Sequence, residues 1–153
     1  MNEVRCMEQV TFTNMCMIED GEGRVVVQRR NRSWKGVAFP GGHVEHGESF
    51  TRAVIREIRE ETGLTIEHPR LVAVKDWMDD DGSRYVVLLY RASRYTGTLT
   101  SSEEGKVWWQ PLERMTELPL ASSMDIMLRA FLDEDVSEHL LLHDETGWHN
   151  LLL

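Results

Sequence analysis

The sequence predicts a domain of mixed α and β class built around a mixed β-sheet. Three observations carry that expectation. Short runs rich in β-branched and aromatic residues alternate with turns containing Gly and Asp. Two stretches show the three-and-four spacing of apolar residues that marks an amphipathic helix. The two kinds of element are interspersed along the chain rather than gathered into separate blocks.

In chain order, residues 9–18 (QVTFTNMCMI) and 24–28 (RVVVQ) flank Glu19-Asp20-Gly21-Glu22-Gly23 and predict a hairpin. Val37-Ala38-Phe39 is a short strand stopped by Pro40-Gly41-Gly42. The first helix runs from Phe50 to Thr62, with Ser49 or Glu48 at its start and Gly63 as its stop. Residues 71–77 and 84–91 flank Asp79-Asp80-Asp81-Gly82 and predict a second hairpin. Residues 106–110 (KVWWQ) form a strand ending at Pro111, and a weaker helical turn follows over Leu112–Leu118. The second helix covers about Ser122 to Leu132, where Met124, Ile126, Met127, Ala130 and Phe131 recur. The tail, HLLLHDETGWHNLLL, reads either as a helix or as a hairpin turning at 144–147.

The totals bound the function. A chain of 153 residues is expected to be one domain, 1–153. It has no apolar run long enough to span a membrane and no secretion leader, and its two cysteines are expected to be free thiols, so a cytoplasmic location is expected. The net charge of −9 argues against holding duplex nucleic acid by counterion release. Phosphates would instead be handled on a small molecule, with metal ions supplying positive charge. A homodimer is a candidate assembly.

Residues 41–64, GGHVEHGESFTRAVIREIREETGL, concentrate acid in an already acidic chain. On a helical wheel Phe50, Val54 and Ile58 form the apolar stripe, with Ile55 at its edge. Glu61 falls within that stripe, Glu57 at its border and Glu60 slightly further round. Arg52, Arg56 and Arg59 fall on the far side. Carboxylates at the seam between helix and body are costly unless a cation neutralises them. Mg²⁺ takes oxygen ligands and commonly uses one or two carboxylates plus substrate phosphates. The plainer reading is a solvated helix with pairs such as Glu48–Arg52 and Arg56–Glu60.

The spacing separates these readings. Gly42, Glu48, Arg56-Glu57-Ile58, Glu60-Glu61 and Gly63-Leu64 resemble the Nudix box, residues 42–64, at every fixed position of that signature. The lead-in VAFPGG is also similar to that family. The resemblance implies an α/β/α sandwich around a mixed sheet and Mg²⁺- or Mn²⁺-dependent hydrolysis of a nucleoside diphosphate linked to another group. It implies metal ligation by Glu57, Glu60, Glu61 and the Gly41 carbonyl. Arg56 would orient the glutamates, and Glu48 would support the loop. Glu57 or Glu60 would be the general base, with Glu57 preferred. Glu103 and Glu104 are candidates for a further acid from a later loop.

Within the family, QRR followed by WKGVAFPGGHVEHGES resembles MutT-type enzymes, which convert oxidised purine nucleoside triphosphates to monophosphate and pyrophosphate. Arg30 would then contact the nucleotide and Phe39 would line the base pocket. Such enzymes read the base with an asparagine near the last helix. Here Leu120-Ala121-Ser122-Ser123 offers only hydroxyls. Trp34, in the polar stretch NRSWKG, is a candidate platform for a base, although core packing or a dimer contact is the commoner fate of a tryptophan. His43 and His46 occupy variable box positions and read as exposed; His139 and His143 read as structural. The alternatives are another diphosphate substrate, such as a nucleotide sugar or a dinucleoside polyphosphate, or a module that senses a nucleotide without cleaving it.

Overall fold

Central strands need partners on both edges and cover on both faces, and that demand organises the chain. The computed structural model describes residues 6–153. It contains β1 (Val10–Ile18), β2 (Arg24–Arg30), β3 (Gly36–Ala38), α1 (Phe50–Thr62), β4 (Leu64–Glu67), β5 (Arg70–Met78), β6 (Arg84–Ala92), β7 (Arg94–Gly97) and β8 (Gly105–Pro111). A 3₁₀ turn (Leu112–Glu117), α2 (Met124–Leu132), β9 (Glu138–Asp144) and β10 (Gly147–Leu152) complete it.

The main sheet has the order β1-β6-β5-β9-β10. It is mixed: β1 runs parallel to β6 and β5 parallel to β9, while β5–β6 and β9–β10 are antiparallel. A second sheet has the order β3-β2-β8, and β4 pairs with β7. α1 covers one face of the main sheet, where Val54 and Ile58 pack with Cys16, Leu88 and Tyr90. α2 covers the other, where Met124, Met127 and Phe131 meet Met15, Met17 and Leu89. The result is an α/β/α sandwich around a mixed sheet.

The first expected hairpin does not form. β1 pairs with β6, and β2 joins the second sheet between β3 and β8, leaving a single bridge, Glu19 to Val25, between them. The physical reason is burial. Thr13–Ile18 and Val25–Gln28 are continuously buried, so each strand needs cover on both faces, which a solvated hairpin cannot give. The second hairpin forms as β5–β6, with Trp77 opposite Tyr85. The tail resolves as a hairpin, β9–β10. β4 and β7 are strands of four residues that the sequence reading did not anticipate. Cys6 and Cys16 are both free thiols.

Candidate active site

α1 is fixed at both ends by its sequence. The Ser49 side chain caps the start by accepting the Arg52 N–H, and Gly63, at φ 75°, ends the helix with its N–H on the Arg59 carbonyl. Ala53, Val54, Ile58, Glu61 and Thr62 are buried along one stripe. Glu61 is thus a carboxylate in an apolar position, as the wheel predicts. Phe50 departs from that stripe; it is 41% exposed and packs its ring on Phe12 at 4.9 Å.

The loop before α1 lies along β1. The amides of Cys16 and Asn14 donate to the carbonyls of Pro40 (2.9 Å) and Gly42 (2.8 Å), so residues 40–42 run extended beside that strand. Carbonyls alternate in direction along an extended chain. The N–H and C=O of Gly41 therefore face away from β1, toward α1. The N–H donates to Glu61 Oε2 at 2.9 Å. The carbonyl receives no donor among the described backbone hydrogen bonds and is open to a cation. Gly41 is required by close approach, since a Cβ there would overlap the Asn14 backbone carbonyl; one on Gly42 would overlap the Glu57 carboxylate and displace it.

Arg56 is not on the far side of the helix. Its guanidinium folds back into the site, bonding Glu48 in a fork (2.8 and 2.9 Å), Glu57 (2.9 Å), Glu60 (3.2 Å) and the His43 carbonyl (3.0 Å). Five hydrogen bonds to four partners outweigh the solvation Arg56 would gain by extending. Glu48 pairs with Arg56 rather than with Arg52. These bonds hold the Glu48 carboxyl down at about 2. They do not hold Glu57 down: its burial outweighs Arg56, and its pKa is raised. Burial also lifts Glu61, to about 7, against the opposing pull of the Gly41 N–H. Glu57 and Glu61 are therefore carboxylates denied full solvation and in want of a counter-charge.

These groups line an open cleft of about 640 Å³ with Arg30, Arg32, Gly41, Glu60, Glu103 and Glu104. The structure thus brings Glu57, Glu60, Glu61, Glu103 and Glu104 to one cleft, with Glu48 behind Arg56. Arg32 makes a long ion pair with Glu104, 3.8 Å, across its rim. Among the described residues no three acidic, histidine or cysteine side chains form a ready-made cation cage. The donor set still fits Mg²⁺ or Mn²⁺. It offers hard oxygens only, one open carbonyl opposite two desolvated carboxylates, and room for the phosphates and water that complete such a shell.

A second cavity of about 580 Å³ adjoins the cleft through Arg30, Ser33, Gly41, Gly42 and His43. Trp34, Lys75, Trp77, Tyr85, Ser122, Ser123 and Met127 line it. Trp34 is held by its indole N–H on the Ser122 carbonyl at 3.1 Å, with the Arg30 guanidinium 5.7 Å from its ring. Phe39 does not line this cavity. It is fully buried and packs edge-on against Phe131 at 5.0 Å, because VAF is a core segment on both faces. His43 and His46 are exposed. His139 is buried on Asn150, and His143 stacks on Trp148, both structural contacts.

The sequence pattern of the NUDIX domain matches residues 11–131. The chain belongs to the Nudix family. It is accordingly a Nudix hydrolase, a pyrophosphohydrolase acting on a nucleoside diphosphate-linked substrate. It is 36% identical over 123 residues to the uncharacterized Nudix hydrolase YvcI of Bacillus subtilis, covering 74% of this chain and 77% of that one. It is 35% identical over 92 residues to an ADP-ribose pyrophosphatase of Methanocaldococcus jannaschii, covering 59% of this chain and 54% of that protein. Among solved structures, the MutT protein of Bacillus halodurans superposes with a TM-score of 0.75 at 27% identity, covering 94% of both chains. No helix among the described residues of this Nudix protein is long and apolar enough to cross a membrane.

Sequence reading did not place Asn14, Lys75, Trp77 or Tyr85 at the site. A signal existed for two of them: Asn14 is the one amide in TFTNMCMI, and Lys75 the one cation in LVAVKDW, both runs that otherwise read as buried strand. The Asn14 side chain accepts the Gly42 N–H at 3.1 Å and so holds the glycine loop in place.

Proposed function

We propose that this Nudix hydrolase converts a purine nucleoside triphosphate to the monophosphate and pyrophosphate, with oxidised purines among its substrates. The observation that carries this reading is the junction of two cavities. An acidic cleft suited to a metal-bound phosphate chain opens at Gly41 and Gly42 into an aromatic cavity sized for a base. Glu57, Glu60, Glu61 and the Gly41 carbonyl would hold Mg²⁺ or Mn²⁺, with Glu103 or Glu104 completing the set from the facing loop. When bound, the metal supplies positive charge to the phosphate oxygens and makes the attacking water more acidic.

The remaining work falls to side chains of this chain. Glu57 takes the proton from water; burial raises its pKa, which makes it a stronger base than an ordinary solvated carboxylate. Arg56 is a positioning residue, fixing Glu57 and Glu60 and tying them to Glu48. Arg30, on the wall common to both cavities, meets the phosphate or sugar. Trp34 offers a face to the base.

The test is a panel of 8-oxo-dGTP, dGTP, ATP, ADP-ribose and a dinucleoside polyphosphate, with and without Mg²⁺ or Mn²⁺, products identified. Monophosphate and pyrophosphate from a purine triphosphate are expected, with turnover lost in Glu57→Gln and Glu61→Gln. Preferential cleavage of ADP-ribose, the substrate named for the Methanocaldococcus relative, would overturn the triphosphate assignment.

A further inference from the structure

Lys75 stands out against the rest of the aromatic cavity. It lies mid-strand in β5, 5% exposed, and its ammonium sits 5.7 Å from the Trp34 ring and 5.8 Å from the Trp77 ring. Trp77 in turn stacks on Tyr85, centroids 4.4 Å apart and 12° from parallel. Burial pushes the Lys75 amine down, to about 8, and no hydrogen bond or ion pair of its side chain is found among the described residues. A buried ammonium without an ion-pair partner is costly, and the two cation–π contacts offset part of that cost.

The lining of the cavity shares this bias. It includes Arg30 and Lys75 and no aspartate or glutamate, in a chain of net charge −9. Its shape is held by two non-glycine residues with left-handed backbone, Trp34 (φ 55°) and Ser123 (φ 63°). Such conformations persist where the surrounding structure enforces them, commonly at ligand sites. Lys75 can only donate hydrogen bonds, three of them, and accepts none. A ligand edge bearing an amino group would therefore leave two donors opposed, whereas an edge bearing a carbonyl oxygen would give the ammonium its missing acceptor.

We infer that Lys75 is the specificity-determining residue of this cavity, selecting a base with a carbonyl oxygen on its edge (a 6-oxopurine) over its amino counterpart. The inference rests on the triphosphatase reading above and adds the side chain that discriminates between bases. Inosine and adenosine triphosphates are the sharpest probes, since they differ chiefly by oxygen for amino at one ring carbon.

With Mg²⁺, kcat/KM for ITP should exceed that for ATP by about 10- to 100-fold, the range for a hydrogen bond to a charged group with its partner otherwise stranded. Lys75→Met keeps the length of the side chain and removes the charge. Its ITP-to-ATP ratio should collapse to within about threefold of unity, and its Tm should not fall, because an unpaired buried charge has been removed. Equal kcat/KM for the two nucleotides in the unaltered protein, or a preference that survives in Lys75→Met, would overturn the assignment. Should neither triphosphate be hydrolysed, the triphosphatase reading fails, yet the cavity is still testable by quenching of tryptophan fluorescence with IMP and AMP in metal-free buffer. Tighter IMP binding by about tenfold, lost in Lys75→Met, supports the role of Lys75; equal binding overturns it.

Discussion

A carboxylate held in an apolar stripe should cost stability whenever no cation is present, and Glu61 allows that cost to be measured. Burial raises Glu61 from an ordinary 4.5 to about 7. The folded protein therefore keeps a proton that the unfolded chain gives up between these values. A state that binds more protons is favoured by acid, so the folded state loses stability as pH rises from about 4.5 to about 7 and carries the whole penalty above that. The interval corresponds to on the order of 3 kcal/mol. Glu61→Gln removes the charge and keeps an oxygen for the Gly41 N–H, but introduces an amide NH₂ that must find its own partner. The net gain expected in metal-free buffer at pH 8 is about 1–3 kcal/mol, or roughly 3–8 °C in Tm for a domain of this size.

The assay is thermal unfolding of both proteins in EDTA at pH 5 and pH 8, repeated at pH 8 with Mg²⁺. The gain should be largely absent at pH 5, where Glu61 is already protonated. Mg²⁺ should raise the Tm of the unaltered protein at pH 8, because it binds the folded state, and should do so much less in Glu61→Gln. A variant no more stable than its parent in EDTA at pH 8 would refute the reasoning. So would an equal gain at both pH values, which would point to packing rather than charge.

Three further substitutions separate positioning from packing. Arg56→Met breaks the fork to Glu48 and the bonds to Glu57 and Glu60; a loss of about 2 kcal/mol by urea unfolding is expected. Its turnover should fall by about 100-fold or more in steady-state assays, as freed glutamates lose their alignment. Gly42→Ala pushes a methyl group into the Glu57 carboxylate, so kcat should drop by about 100-fold while far-UV circular dichroism is unchanged. Phe39→Ala empties a core position against Phe131 and should cost about 3–5 kcal/mol in denaturant unfolding. KM of the folded fraction should not move; a raised KM with little destabilisation would return Phe39 to the base site.

The parts of the fold that were legible in the sequence are those set by local chemistry. α1 runs from Phe50 to Thr62 as its periodicity and its terminal glycine require, and Asp79 to Gly82 turn β5 into β6. What could not be read was set by partners distant in sequence. Whether β1 pairs with β2 or with β6 depends on which strand can cover a continuously buried run, and residues 10–28 carry no trace of β6. The site divides the same way. The box displays its acids at fixed spacing, but the position of Arg56 depended on rotamer choice as well as on the wheel. A wheel assigns a side to the Cβ, while a long guanidinium stem can fold across the helix to reach several carboxylates at once.

That distinction also explains why only Arg30, Trp34 and the Ser122-Ser123 hydroxyls of the aromatic cavity were legible in the sequence, while the acidic cleft was legible almost whole. A cation site built on one helix turn needs its ligands at helical spacing, so its pattern is written in a few consecutive residues. A base-sized cavity needs rings from several directions, and here Trp34 comes from a loop, Trp77 and Tyr85 from neighbouring strands, and Ser122 from the approach to α2. No spacing rule joins residues 34, 77, 85 and 122. The local clues were polar side chains in buried strands, Asn14 and Lys75. A lysine in LVAVKDW is expensive enough that folding alone gives no reason to keep it; something that the ammonium meets only when a ligand is bound would give one.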